Sequence, residues 1–273
     1  MAKSKSWLKK VLDHITKIDM IWLVIWGTIF TSFVVLDSIF QAAYQGENVY
    51  WNFSFNDKPF LIKVVENGTF IGVTILKYTG IMLSFIYARK KFLKDHILHI
   101  ALGFTLLADT ILTFNSVSIF GVLAFCFAQY FHIARFAKIK PEAFIAWTIF
   151  VFSLIILGWY CEIPDMYVLA FIYMLSLSAN IILTHRWWKH VQNKKKPSDT
   201  EIVASTSAMF GFILFAACDT NVALSYLSVT GVLPIFVARY ANFFAWFFYY
   251  PSQVLISNSS ALITKTKRNT EKN

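Results

Sequence analysis

Charge is scarce in this chain: Asp, Glu, Lys and Arg make up 15% of its 273 residues, against 57% hydrophobic and 18% aromatic. That is too little polar surface to cover a soluble globule, so a water-soluble fold is excluded and a polytopic membrane protein is expected. Cysteine is nearly absent as well. Cys126, Cys161 and Cys218 form no CxxC or Cys/His ligand spacing, which indicates neither a disulfide framework nor a zinc site. No Walker loop, GxSxG, HExxH or GxGxxG occurs, so the common NTPase, serine-hydrolase, zinc-protease and dinucleotide sites lack support, and no cofactor is implied. The apolar run from Met20 to Val35 lacks a clear A-x-A cleavage site after it and reads as a retained first span.

What is present is a series of apolar runs long enough to cross ~30 Å of hydrocarbon at ~1.5 Å per residue. They are Met20 to Phe40, Phe70 to Tyr87, Ile97 to Phe114, Val117 to Phe136, Ala143 to Tyr160, Met166 to Thr184, Val203 to Leu224 and Leu233 to Ile256. The fold class expected is all-α, an eight-helix transmembrane bundle over residues 20–259. Residues 1–19 alternate apolar and basic positions at helical spacing, the pattern of an amphipathic helix lying in the interface. Residues 260–273 form a basic tail.

Net charge is +10, which in a soluble protein would suggest nucleic acid. Here Lys and Arg gather in the N-terminus, alternate loops and the C-terminus, 21 of the 25 in all. The positive-inside rule then puts both termini in the cytoplasm, with the cell membrane as the expected location and no nucleic-acid partner. The four remaining basic residues are Lys58, Lys63, Lys77 and Arg239. The first two share the first outer loop with Glu47, Asp57 and Glu66.

Polar residues within the spans recur every three or four positions, as a shared polar interior requires. Thr105 and Asp109 mark the third span, Gln129 and His132 the fourth, Tyr173, Ser176 and Asn180 the sixth, and Arg239, Asn242, Trp246, Tyr249 and Gln253 the eighth. Spans one and five carry weaker stripes and are placed outside the interior, although Asp37 lies in the first. A carboxylate at membrane depth costs ~2.5–3.5 kcal/mol on insertion scales, so Asp109 needs a reason. The segment also recurs. Shifted by 110 residues, Asp109 to Tyr130 overlays Asp219 to Tyr240 with eight of 22 positions identical, indicating a duplicated helical hairpin and a parallel internal repeat. The repeat leads us to expect Asp109 and Asp219 at matching depth, each about a turn and a half short of its outer loop, facing one cavity.

Two carboxylates in a poorly hydrated site cannot both ionise cheaply, so the pair can supply an acid and a base together. The plain alternative is structural: the aspartates neutralised by Lys77 and Arg239. Taken singly, His132 reads as a core histidine and Gln129 as a helix–helix hydrogen bond. A non-enzymatic lipid-binding protein or small-molecule transporter also fits parallel repeats with polar groups at the midplane. A carrier, however, would be expected to have broken helices, and the only prolines read as lying inside a span are Pro234 and Pro251.

The runs GFTLLADTILTF, FGVLAFCFAQYFHIARF, YMLSLSAN, FGFILFAACDTNVAL and YYPSQVLISNS resemble the YhhN family of lysoplasmalogenases, eight-span alkenyl ether hydrolases. The segment ILKYTGIML is similar to that family's early lysine motif, and the likeness covers roughly Phe70 to Ser259. It implies hydrolysis of the vinyl ether of a membrane lysophospholipid to a fatty aldehyde and a glycerophospho-base. By the same motifs Asp109 and Asp219 are the acidic pair, with Lys77, Tyr173, Tyr250 and Gln253 lining the site. Gln129 stands where the family usually has histidine, and His132 where it has an aromatic residue. Lys77 and Arg239 are candidates to attract the phosphate, and Gln129, His132 and Asn242 complete the expected polar lining.

Overall fold

The computed structural model describes residues 17–43, 60–114, 118–137, 139 and 142–260. Every regular element among them is a helix: α1 Lys17–Ala43, α2 Phe60–Lys91, α3 His96–Phe114, α4 Ile119–Ala137, α5 Glu142–Tyr160, α6 Asp165–Gln192, α7 Asp199–Val229 and α8 Ile235–Ser257. Within α1, α4, α5, α6 and α7 lie five stretches long and apolar enough to cross a membrane; α3 holds a shorter apolar stretch, His96–Leu112. The protein is therefore a helical integral membrane bundle. The amphipathic N-terminal segment up to residue 16, the tail beyond residue 260 and the loop carrying Glu47, Asp57 and Lys58 lie outside the described residues.

The helix ends follow from local chemistry. Ser198 and Glu201 form a capping box at the start of α7: the Glu201 N–H donates to Ser198 Oγ at 3.2 Å and the Ser198 N–H donates to Glu201 Oε2 at 3.1 Å. Lys194 holds the same carboxylate at 2.8 Å. The far end of α7 closes when Gly231 turns to φ +82°, letting the Val232 N–H reach back to Leu227 O at 2.9 Å and the Gly231 N–H to Ser228 O at 3.2 Å. The end of α5 repeats this arrangement with Glu162 at φ 57° and Ile163 bonded to Gly158 O at 2.8 Å. The turn into α8 is tied by Ser228, whose hydroxyl donates to Pro234 O at 2.6 Å and accepts the Ala238 N–H at 3.2 Å.

Three expectations change here. The second helix starts at Phe60 and takes in Lys63 and Glu66, which the hydropathy pattern leaves in a loop. Pro234 precedes α8, where its missing N–H costs nothing, so Pro251 is the proline inside that helix. The third concerns depth. Asp109 stands five residues from the end of α3, but α7 runs ten residues past Asp219, because Asn221 to Val229 contains no breaker and the turn waits for Gly231. By helical rise that is ~15 Å rather than ~8 Å, so the two aspartates are not equivalent within their own helices.

The chain divides into two compact units. One holds the described residues of 84–212 and 255–260, the other those of 17–83 and 213–254. In the first, α4 packs against both α3 and α6, and α6 against α5. Cys126, Val151, Leu169 and Ile172 make a buried apolar centre joined by Trp147 and Tyr173. Burying each such aliphatic side chain contributes ~1.5–3 kcal/mol in water, but in lipid close packing takes over that role. The opposite face of α5 exposes Ile145, Ile149, Phe152 and Ile156, a surface suited to acyl chains.

Candidate functional site

In the first unit a polar seam runs through α3, α4 and α6. Asp109 and Thr105 sit one turn apart on α3 and are buried, with Ala101 and Ala108 beside them fully enclosed. Thr105 spends its hydroxyl on Ala101 O at 3.1 Å. On α4, Gln129 is 0% exposed and is gripped from α6: Asn180 Nδ2 donates to Gln129 O at 3.0 Å and to Gln129 Oε1 at 2.8 Å. Gln129 Nε2 and Asn180 Oδ1 are both buried and have no hydrogen-bond partner among the described residues. Tyr173, two turns earlier on α6, is half-buried with its ring against the edge of Phe125 at 5.9 Å.

One turn beyond Gln129, His132 is buried with its ring edge-on to Phe212 at 5.1 Å. Its Nδ1 lies 3.3 Å from Arg135 Nη1. Guanidinium only donates, so Nδ1 is the acceptor and the imidazole proton belongs on Nε2. Arg135 reaches onward through Nη2 to the carbonyl of Ser259 and to its Oγ, the latter at 2.8 Å. Ser260 donates to Asp95 Oδ2 at 2.8 Å, while Asp95 Oδ1 accepts the Leu98 N–H at 3.1 Å and caps α3. The chain after α8 is thereby tied to α3 and α4 by buried, charge-assisted bonds. His132 is part of this strap.

The second unit surrounds Lys77 of α2 with aromatic faces and one acid. Its Nζ is 4.6 Å from the Trp246 ring centre and 5.3 Å from that of Phe33, and Asp37 of α1 acts on its charge. Both Lys77 and Asp37 are buried. Along the same face, Tyr250 of α8 lies over Gly80 and stacks on Phe30 at 5.5 Å; its hydroxyl has no partner among the described residues. Gln253 is buried and within 3.5 Å of Ser252 Oγ. Asn242 accepts from Ser225 Oγ at 3.1 Å, linking α8 to α7. Asp219 is half-buried on α7 next to buried Cys218. The side chain of Arg239 lies outside the described residues.

Of the residues expected at the site, Asp109, Gln129, His132 and Tyr173 belong to the first unit, and Lys77, Asp219, Asn242, Tyr250 and Gln253 to the second. The first helix is drawn in after all: Asp37 and Phe33 face Lys77, against the placement of span one outside the polar interior. A buried acid in an otherwise apolar first span was the signal for it. Asn180, read only as one member of a stripe, proves to be the partner of Gln129. Among the described residues no three His, Cys, Asp or Glu side chains gather closely enough to hold a metal ion.

The YhhN family matches this chain over residues 73–260, which takes in the lysine, both aspartates, the Gln129–Asn180 contact and the strap at Ser259. The chain belongs to the YhhN family. No curated protein and no solved structure matches it. Family membership supports a lysoplasmalogenase-like function at the level of the family. In this YhhN chain Gln129 is an amide bound to a second amide, and His132, one turn on, is bonded to Arg135.

Proposed function

We propose that the chain is a lysoplasmalogenase-like hydrolase that cleaves the vinyl ether of a lysophospholipid within the membrane, with Asp109 and Asp219 in acid and base roles. The observation that carries this is the YhhN match, which encloses both intramembrane aspartates. The burial of Asp109 in an apolar helix agrees with it, since a carboxyl in such a place is retained for a function or a partner. In the reaction a protonated carboxyl transfers its proton to the outer vinyl carbon, leaving an oxocarbenium ion. A water, giving its proton to the ionised carboxylate, adds to the carbon bearing oxygen. The hemiacetal then collapses, its C–O bond breaking as the hydroxyl proton passes to the departing glycerol oxygen, to give the fatty aldehyde and the glycerophospho-base. Glycosidases divide acid and base around an oxocarbenium in the same way. Lys77, Tyr173, Arg239, Asn242, Tyr250 and Gln253 are proposed to line the lipid's path, with Lys77 and Arg239 favouring its phosphate.

The alternative, a lipid carrier or binding protein, finds less support, because among the described residues α8 continues through Pro251 and no helix is broken. Mass spectrometry of a 1-alkenyl lysophospholipid incubated with purified protein decides between them. Fatty aldehyde and glycerophospho-base appearing in equal amounts is the result expected. Unchanged lipid, retained by the protein, would replace the hydrolase reading with the carrier.

A further inference from the structure

The Gln129–Asn180 contact leaves one donor and one acceptor over, and their orientation is not a matter of choice. Asn180 Nδ2 faces two oxygens, Gln129 O at 3.0 Å and Gln129 Oε1 at 2.8 Å. The first is a backbone carbonyl and can only accept, so turning the Asn180 amide over would set oxygen against oxygen. With Asn180 fixed, Gln129 must present its own oxygen to that NH₂ group, and its Nε2 is directed elsewhere. What remains is a primary amide donor, Gln129 Nε2, and an amide acceptor, Asn180 Oδ1, both without a partner among the described residues. Both residues are 0% exposed.

Leaving either atom unpaired is costly, and more so in the low dielectric of a membrane interior. A neutral group that accepts from one and donates to the other removes both penalties, and that description fits a hydroxyl. A phosphate or carboxylate would meet the Asn180 oxygen with like charge. An ammonium would meet the Gln129 NH₂ group, and an ester or ether oxygen would satisfy Gln129 alone. Resting on the hydrolase reading above, we infer that Gln129 and Asn180 recognise the free secondary hydroxyl beside the scissile vinyl ether of a lysolipid. They are thus specificity-determining residues that make the unacylated lipid the substrate.

The placement agrees with this use. Asp109 lies five residues from the end of α3, and Gln129 ten from the start of the antiparallel α4 packed on it. Along the helix axes that offset is about 7 Å, comparable to the few bonds that separate the secondary hydroxyl from the vinyl carbon plus one hydrogen bond. Acylating the hydroxyl removes the proton that Asn180 Oδ1 requires. Sites built to bond a hydroxyl can reject an analogue lacking it by ~10⁴–10⁵-fold, whereas shape alone achieves on the order of 10²-fold.

The test uses purified full-length protein and three lipids: a 1-alkenyl lysophospholipid, its 2-deoxy analogue and its 2-O-methyl analogue. We expect wild-type kcat/KM to fall at least tenfold for both analogues, and Gln129→Glu and Asn180→Ser to lower the rate on the hydroxyl lipid while narrowing that gap. A second readout needs no hydrolysis: binding of a saturated 1-O-alkyl lysophospholipid should be tighter than that of its 2-deoxy counterpart in the wild type. The wild-type comparisons stand even where a variant fails to fold. Aldehyde released equally well from all three lipids would overturn the inference and leave the hydrolase intact. Variants that lose rate equally on all three would show the amides serving as scaffold or holding water, which also overturns it. A binding preference for the hydroxyl lipid without any aldehyde would uphold the inference and sink the hydrolase.

Discussion

Gly80 of α2 and Tyr250 of α8 occupy complementary space: the ring of Tyr250 fills the place where a β-carbon on residue 80 would stand. Only the absence of a side chain lets the two helices approach this closely. Gly80→Ala should therefore cost ~1–3 kcal/mol, the usual range for overpacking. Thermal unfolding in detergent measures the loss. The double variant Gly80→Ala with Tyr250→Ala should lose less than the two single losses added, because shrinking the ring opens the space the methyl needs. Additive losses would mean the contact is not what constrains residue 80.

Asp109→Asn and Asp219→Asn should each lower aldehyde release by ~10²–10⁴-fold, the usual contribution of a general acid or base. Lipid binding should change far less, since the amide keeps the shape of the carboxyl. The measurements are aldehyde yield under single-turnover conditions and equilibrium binding of the saturated ether lipid. Near-normal rates in both variants would make the aspartates structural.

Arg135→Met should destabilise the first unit by ~2–3 kcal/mol, because it strips the Ser259 carbonyl and hydroxyl of a charged donor and leaves His132 without its bond. Arg135→Lys should recover little. An ammonium cannot span His132 and Ser259 as the planar guanidinium does. Protease sensitivity of the C-terminal segment, followed with thermal unfolding, checks both. A fully stable Arg135→Met variant would show that the strap holds nothing.

An eight-span arrangement would place 21 of the 25 basic residues on one side, so reporters fused at either terminus should read as cytoplasmic. A fusion between α5 and α6, at Glu162, should read as external. A C-terminal fusion reading as external would require an odd number of spans.

Most of the helical framework was legible because lipid-facing helices must be apolar for their full crossing length, and the eight helices among the described residues lie where the eight runs do. The boundaries that escaped were set by chemistry that hydropathy does not register. Lys63 and Glu66 look like loop residues yet fall within α2, and α7 passes Asp219 until a glycine with positive φ stops it. At the candidate site, stripes of polar residues named helix faces but not partners. Asn180 was legible as buried; that it holds Gln129 depends on how α4 and α6 meet, which no single-helix period encodes. Asp37 was visible as an anomaly, and only tertiary packing joins it to Lys77.

The repeat aligns Gly121 with Gly231, and the identical letter stores two different instructions. At Gly231 the obstacle to any other residue is handedness: φ is +82° and nothing described stands within 4 Å of where a β-carbon would go. At Gly121, inside the first turn of α4, the obstacle is volume, since a β-carbon would come within 2.6 Å of Leu112. A mirror-image alanine introduced by chemical ligation should settle into position 231 without strain, while Gly121→Ala should become tolerable only after Leu112 is cut back to alanine. The two overlaid segments share a glycine for two different physical reasons, so a tolerance learned at one position cannot be transferred to the other.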